Sequence, residues 1–145
     1  MTDSERRLVV LVAIDVVGYS LSIERDETNT ITRLKTFRLK LDPMIADHGG
    51  RIFNTGGDSV FAEFDSAVQA LKCAIGFQNH VYKINGSLQP SDQMFFRIGV
   101  NIGDVIEDGG NLLGDGVNVA ARLESICQAG SVCVSKTIHD LVQGK

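Results

Sequence analysis

Leu8–Ile14 is an unbroken aliphatic run bounded by charge, the pattern of a central strand buried on both faces. It ends at Asp15, and Val16-Val17-Gly18-Tyr19-Ser20 reads as a turn into a helical region. From about Glu24 to Asp47 the period lengthens. Ile31, Leu34, Phe37, Leu41 and Ile45 recur at helical spacing. Pro43 is expected to kink this segment or to begin a second short helix, and His48-Gly49-Gly50 to end it. Arg51–Thr55 and Val60–Phe64 read as two strands, and the glycine pair in Gly56-Gly57-Asp58-Ser59 reads as their hairpin. Ser66 with Gln69 resembles a capping box, and the next helix is expected to bury Val68, Leu71, Ile75 and Val81.

The second half is more broken. Phe95–Ile102 alternates as a strand. Gly103-Asp104 and Asp108-Gly109-Gly110 read as turns around a short strand, Val105–Glu107. Gly114-Asp115-Gly116 precedes a helix from about Val117 to Cys127, with Gly130 as its stop. Val132–Val134 is a last strand and Lys136–Val142 a last helix. Strands and helices thus alternate irregularly, with both hairpins and crossovers. The expectation is an α+β sheet with helices on one or both faces.

The chain has 145 residues, of which 43% are hydrophobic and 22% charged, so residues 1–145 read as one globular domain and not as a disordered chain. No apolar run approaches the ~20 residues that cross a bilayer, and the N-terminus carries no signal-peptide segment. With 14 Lys+Arg against 18 Asp+Glu the net charge is −4, which argues against a general nucleic-acid binder. A polyphosphate substrate would therefore need cations to neutralise it. Cys73, Cys127 and Cys133 have no zinc-like spacing, and all three read as buried thiols of a cytoplasmic protein.

Two carboxylates stand out. Asp15 emerges at the end of an apolar strand, where open sheets place ligands. Asp58 lies in the double-glycine turn, a place where aspartate is also common for conformational reasons. If the strand after Gly50 pairs with the first strand, the two meet, repel, and call for a divalent metal. The backbone around Gly18 could attract phosphate, or could simply turn the chain. Asn118 and Arg122 stand four apart and share a helix face. They could aim an amide and a guanidinium at phosphate, or form a plain polar face with Arg122 paired to Asp115 or Glu124.

LVAIDVVGYS, GGRIFNTGGDSVFAEF, FRIGVNIGDV and LLGDGVNVAARLE follow one another in order. Together they resemble the catalytic domain of class III nucleotidyl cyclases, the adenylate and guanylate cyclases, over most of the chain from about Val9 to Ser135. The resemblance implies a ferredoxin-like α+β fold. It implies two metal-binding aspartates, Asp15 and Asp58, with the Val16 carbonyl also facing a metal. It implies a phosphate-binding turn at Gly18, Tyr19 and Ser20, and a transition-state pair, Asn118 and Arg122. The cofactors would be two Mg²⁺ or Mn²⁺ ions per site. In this family domains pair head to tail and each site draws on both chains, so a homodimer with two sites is implied. The reaction would be attack of the ribose 3′ oxygen of ATP, less readily GTP, on the α-phosphate.

The chain departs from the family pattern. The adenine-selecting lysine position is Asn54, and its acidic partner position is Asn111. Family domains usually continue past the final helix into more strands that bring a phosphate-binding lysine. Lys145 ends the sequence before that region, and Lys136 does not match it. The C-terminal strands are therefore expected to be missing. These departures favour a second reading, a catalytically weak or inactive nucleotide-binding or dimerisation module. A third, a palm-type diguanylate cyclase, is disfavoured because Gly56-Gly57-Asp58 continues as Ser59-Val60.

Overall fold

The structure, a computed structural model, describes residues 6–145. The aliphatic run belongs to β1 (Arg6–Val16), which extends past the predicted ends and includes Asp15. Its neighbours are β3 (Ser59–Phe64) and β4 (Phe96–Asp108), both antiparallel to it. β2 (Gly50–Gly56) pairs with β3 at one edge. Along the other edge, β4 pairs with β6 (Val132–Val134) at Ile98–Val100 and with β5 (Asn111–Leu113) at Ile106–Asp108. The order is β2-β3-β1-β4-β5, with β6 beside β4.

Both faces of β1 are covered, which is why its sequence does not alternate. Val10, Val12, Ile14 and Val16 enter the main core with α2 (Glu27–Asp47), α3 (Ala67–Asn85) and α5 (Lys136–Val142). Val9, Leu11 and Ala13 enter a smaller core with Val105, Leu112 and Ala120 of α4 (Asp115–Ser125). Phe37, Phe77 and Phe96 meet edge to face at the centre of the main core.

Several local expectations are corrected. The long helical segment breaks at Asp26, between α1 (Tyr19–Arg25) and α2, where the Asp26 carboxylate caps Asn29 N–H. Pro43 lies inside α2 and starts no second helix. An interior proline costs ~3 kcal/mol through its lost hydrogen bond and ring clash together, and here it stands between the buried Leu41 and Ile45. Within α3 the core face is Ala70, Cys73, Ala74, Phe77 and Val81, whereas Ile75 is 51% exposed and Val68 and Leu71 are half-buried. Small residues let α3 pack closely, a signal that large aliphatics alone do not carry. Ser66 does cap α3, accepting from Gln69 N–H at 3.2 Å. α4 ends at Ser125, and Gly130 instead turns the chain into β6, with its N–H bonded to Phe96 O at 2.8 Å. Cys73 and Cys127 are buried, but Cys133 is only half-buried. Burial pushes the Cys73 thiol up to about 11.

Gly103-Asp104 is not a turn, because β4 runs straight through it opposite Val9 and Leu8. The glycines of β4 serve close packing. A Cβ on Gly103 would lie 3.0 Å from Gly116 Cα, and one on Gly99 would lie 2.4 Å from Ala120 O and 2.5 Å from Glu124 N. These backbone contacts set how deeply α4 sits on the sheet. Gly99→Ala is expected to destabilise the domain by ~3 kcal/mol, the upper end of ordinary overpacking costs, as read by urea denaturation. Wild-type stability would show that α4 can lift away freely.

Candidate active site

The pairing of β2 with β1, posed above as a condition, is absent, since β3 lies between them. The convergence it was meant to produce occurs all the same. β3 runs antiparallel to β1, so the hairpin tip reaches the end of β1. Gly56 pairs with Ser59, leaving Gly57-Asp58 as a two-residue loop in which Gly57 takes φ 59°. The Val16 N–H then donates to Asp15 Oδ1 at 3.0 Å and to Asp58 Oδ2 at 3.2 Å. One amide holds two carboxylates.

That arrangement is electrostatically costly. Burial, the hydrogen bond with Asp58, and the charges of Asp58 and Glu124 together push the Asp15 carboxyl up to about 7, against the pull of Val16 N–H. Two hard oxygen ligands brought together against their own repulsion fit a divalent cation such as Mg²⁺ or Mn²⁺. Among the described residues no cluster of three or more His, Cys, Asp or Glu side chains is arranged to hold a metal, so backbone or substrate oxygens would complete the shell.

Beside the pair lie two groups that the sequence reading did not assign to the site. Arg97 stands directly across from Asp15 in the β1–β4 register. Its Nε lies 3.3 Å from Glu124 Oε2, at ion-pair distance, yet neither atom has a hydrogen-bond partner. Glu124 is 7% exposed. Burial raises its carboxyl above the usual range, Arg97 opposes that shift, and the Asp58 charge adds to it. The available signal was Arg97 itself, a lone cation in an apolar strand, since buried charges are seldom unpaired.

The turn after β1 has the backbone that the sequence suggests. Gly18 takes φ 65° at the N-cap of α1, and Tyr19 and Ser20 open that helix. No acidic residue stands in its first turn to compete for an anion.

Asn118 and Arg122 are both exposed on α4. Arg122 lies 3.9 Å from Asp115 Oδ1, with side chains 69% and 84% exposed, a solvated pair of little energy. Glu124, the other partner considered, binds Arg97 instead. It follows Arg122 by two residues, roughly 200° around the helix. With Glu124 turned in toward the acidic pair, Arg122 and Asn118 turn out.

Asn54 and Asn111 are not joined by any hydrogen bond among the described residues. A register shift between Ile52 and Asn54 places Asn54 opposite Phe61, leaving Phe53 as the extra residue of a bulge. The bulge turns Asn54 onto the face that carries Phe61, where regular alternation would turn it into the main core. Asn111 spends its Oδ1 on Leu112 N–H at 2.9 Å.

A largely antiparallel sheet, with only β6 parallel to its neighbour and with helices on both faces, is also the fold of solved cyclase catalytic domains. A crystal structure of an adenylate/guanylate cyclase/hydrolase from Silicibacter pomeroyi superposes with a TM-score of 0.88 at 41% identity, covering 97% of this chain and 82% of that one. The monomeric guanylyl cyclase domain of a fusion protein from the aquatic fungus Blastocladiella emersonii superposes with a TM-score of 0.86, covering 99% of this chain and 90% of that one. At 22% identity this second likeness speaks for the fold alone. The Rhizobium meliloti protein named "Putative adenylate cyclase 3" is 43% identical over 141 residues, 97% of this chain and 24% of that protein. The chain thus spans about a quarter of that relative's length. The family model for the adenylate and guanylate cyclase catalytic domain matches residues 2–145. The chain belongs to this family, the class III nucleotidyl cyclase catalytic domains. Among the described residues no helix is long and apolar enough to cross a membrane.

Proposed function

We propose that the domain converts ATP to cyclic AMP and pyrophosphate, at two equivalent sites shared across a homodimer. The observation that carries this reading is the opposed placement of the two half-sites. Asp15 and Asp58 converge on Val16 N–H, while Asn118 and Arg122 face outward from the same chain. A second copy, related by a two-fold axis, can bring its outward pair to the first copy's acidic pair.

Asp15, Asp58 and the Val16 carbonyl would hold two Mg²⁺ or Mn²⁺ ions per site. Bound there, such ions would supply acidity to the ribose hydroxyl and positive charge to the triphosphate. The chain's own groups do the rest. The backbone of Gly18, Tyr19 and Ser20 receives phosphate oxygens at the start of α1. Arg97, beside Asp15, adds positive charge at the triphosphate end. Arg122 of the second copy stabilises charge growing on the α-phosphate, and Asn118 orients the ribose. The 3′ oxygen forms a bond to the α-phosphorus, its proton passes to solvent, and the bond to the β-phosphate oxygen breaks. Incubation with ATP or GTP and Mn²⁺, with chromatography for cyclic product, tests the reading. Nucleotide binding without product would instead favour the inactive-module reading.

Base choice follows from Asn54 and Asn111. Lysine only donates and aspartate only accepts, so a Lys/Asp pair satisfies adenine and leaves guanine unpaired. An amide does both. ATP is expected to be preferred, with weak rejection of GTP. Asn54→Lys combined with Asn111→Asp should raise the ATP/GTP ratio of kcat/KM by at least about tenfold. An unchanged ratio would assign base reading to other residues.

A further inference from the structure

A cavity of about 440 Å³ lies behind the end of β1, away from the acidic pair. Its walls are Val16 and Val17, the second half of α1, the first turns of α2, and the segment from Pro90 to Phe95. A volume of this order suits a small organic ligand.

The polar groups in it are unevenly matched. Each carboxylate is engaged through one oxygen. Asp26 accepts from Asn29 N–H, and Asp92 Oδ1 takes both Arg33 Nη2 at 3.0 Å and Asn29 Nδ2 at 3.4 Å. The cations are not used up. Arg33 has a side chain only 14% exposed and spends one nitrogen on Asp92, whereas a guanidinium carries five donors. Arg25 makes no ion pair among the described residues. The remaining lining sets apolar Val16, Val17, Pro90, Met94 and Phe95 beside polar Ser22, Thr30, Ser91 and Gln93. Spare guanidinium donors beside an apolar wall suit one chemistry, a carboxylate or phosphate head on a compact apolar body.

The cavity also touches the catalytic end of β1. Val17 N–H is bonded to Phe95 O at 2.8 Å, which ties two of its walls together. The preceding amide, Val16 N–H, is the one that holds Asp15 and Asp58. On the other side stands α1, which has no buried residue and is held to α2 by Thr30 Oγ1 donating to Ser22 O at 3.0 Å. A ligand filling the space would contact a helix that reaches the core through half-buried side chains such as Tyr19, and would press on the peptide that carries the acidic pair.

The geometry points to an effector site for a small organic anion, gripped by Arg25 and Arg33 and coupled through the Val16–Val17 peptide to the candidate active site. This inference goes beyond the cyclase reading and needs neither nucleotide nor turnover for its test. The ¹⁵N-labelled chain is titrated with phenyl phosphate and, separately, with benzoate. Inorganic phosphate and phenol serve as head-only and body-only controls. The expected result is saturable movement of the amide signals of Arg25, Asn29, Arg33 and Asp92–Phe95, relayed to Val16 and Val17, with both controls binding more weakly. Arg25→Gln and Arg33→Gln, folded by their spectra, should each raise Kd by at least about tenfold, the scale of a lost charged hydrogen bond. Should Arg33→Gln fail to fold, the exposed Arg25 still decides. Movement confined to Gly18–Ser20, no saturable binding, or unchanged affinity in the folded variants would overturn the proposal. Phosphate and benzoate arms that differ would tell which head group the site takes.

Discussion

Asp58→Asn is expected to cut metal-supported cyclisation below about one-hundredth of wild type and, without metal, to make the domain more stable. Loss of an outer-shell partner alone typically costs ~10–100-fold, so loss of a direct ligand should cost at least the upper figure. The stability gain has the opposite origin. In the metal-free chain Asp58 repels Asp15, whose carboxyl is raised from an ordinary 3.8 to about 7 by burial and by Asp58 itself. Between these values the folded chain holds a proton that the unfolded chain has lost. Stability should therefore fall as pH rises from about 4 to about 7, and stay low above that range. Asparagine at position 58 removes one charge and should flatten this slope. The measurement is Tm against pH with chelator present, for wild type and variant. An equally steep fall in both would mean that Asp58 is not what strains Asp15, and full activity of the variant in Mg²⁺ would remove Asp58 from the metal site.

Mixing two inactive variants is expected to restore activity. Arg122→Ala should lose roughly 10²–10³ in kcat, the scale of one transition-state donor, and Asp15→Asn should be inactive for want of metal. If sites are shared, half of the dimers in an equal, fully exchanged mixture pair one variant with the other, and each such dimer has one intact site of two. The mixture should reach about one quarter of the wild-type rate. A mixture no faster than its components would place Asn118 and Arg122 at their own chain's site, against the outward face they occupy on α4.

Much of this site was legible in residue order. Asp15 after an apolar run and Asp58 in a Gly-Gly turn are local features, and local chemistry dictates both. An aliphatic run of this length suits a strand buried on both sides, and a glycine pair between two strands is a hairpin signal. The Asn118/Arg122 spacing likewise belongs to the helix, whatever the helix packs on. Lys136–Val142 and Val132–Val134 appear with the predicted bounds for the same reason.

Other features depended on what lies across space. Gly103 reads as a turn until α4 is seen to need its missing side chain. Ile75 reads as core until the small residues of α3 are seen to take the contact. Asn54 faces its side of the sheet only because a bulge beside Phe53 shifts the alternation, and no local pattern announces that extra residue. Arg97 and Glu124 are 27 positions apart and became partners only when β4 and α4 were laid together. Periodicity reports the faces of single elements, and it put Asp15 at a strand end, Asp58 in a turn, and Asn118 and Arg122 on one helix face. Which faces meet is decided by packing, because close approach and charge pairing are properties of two surfaces and not of one.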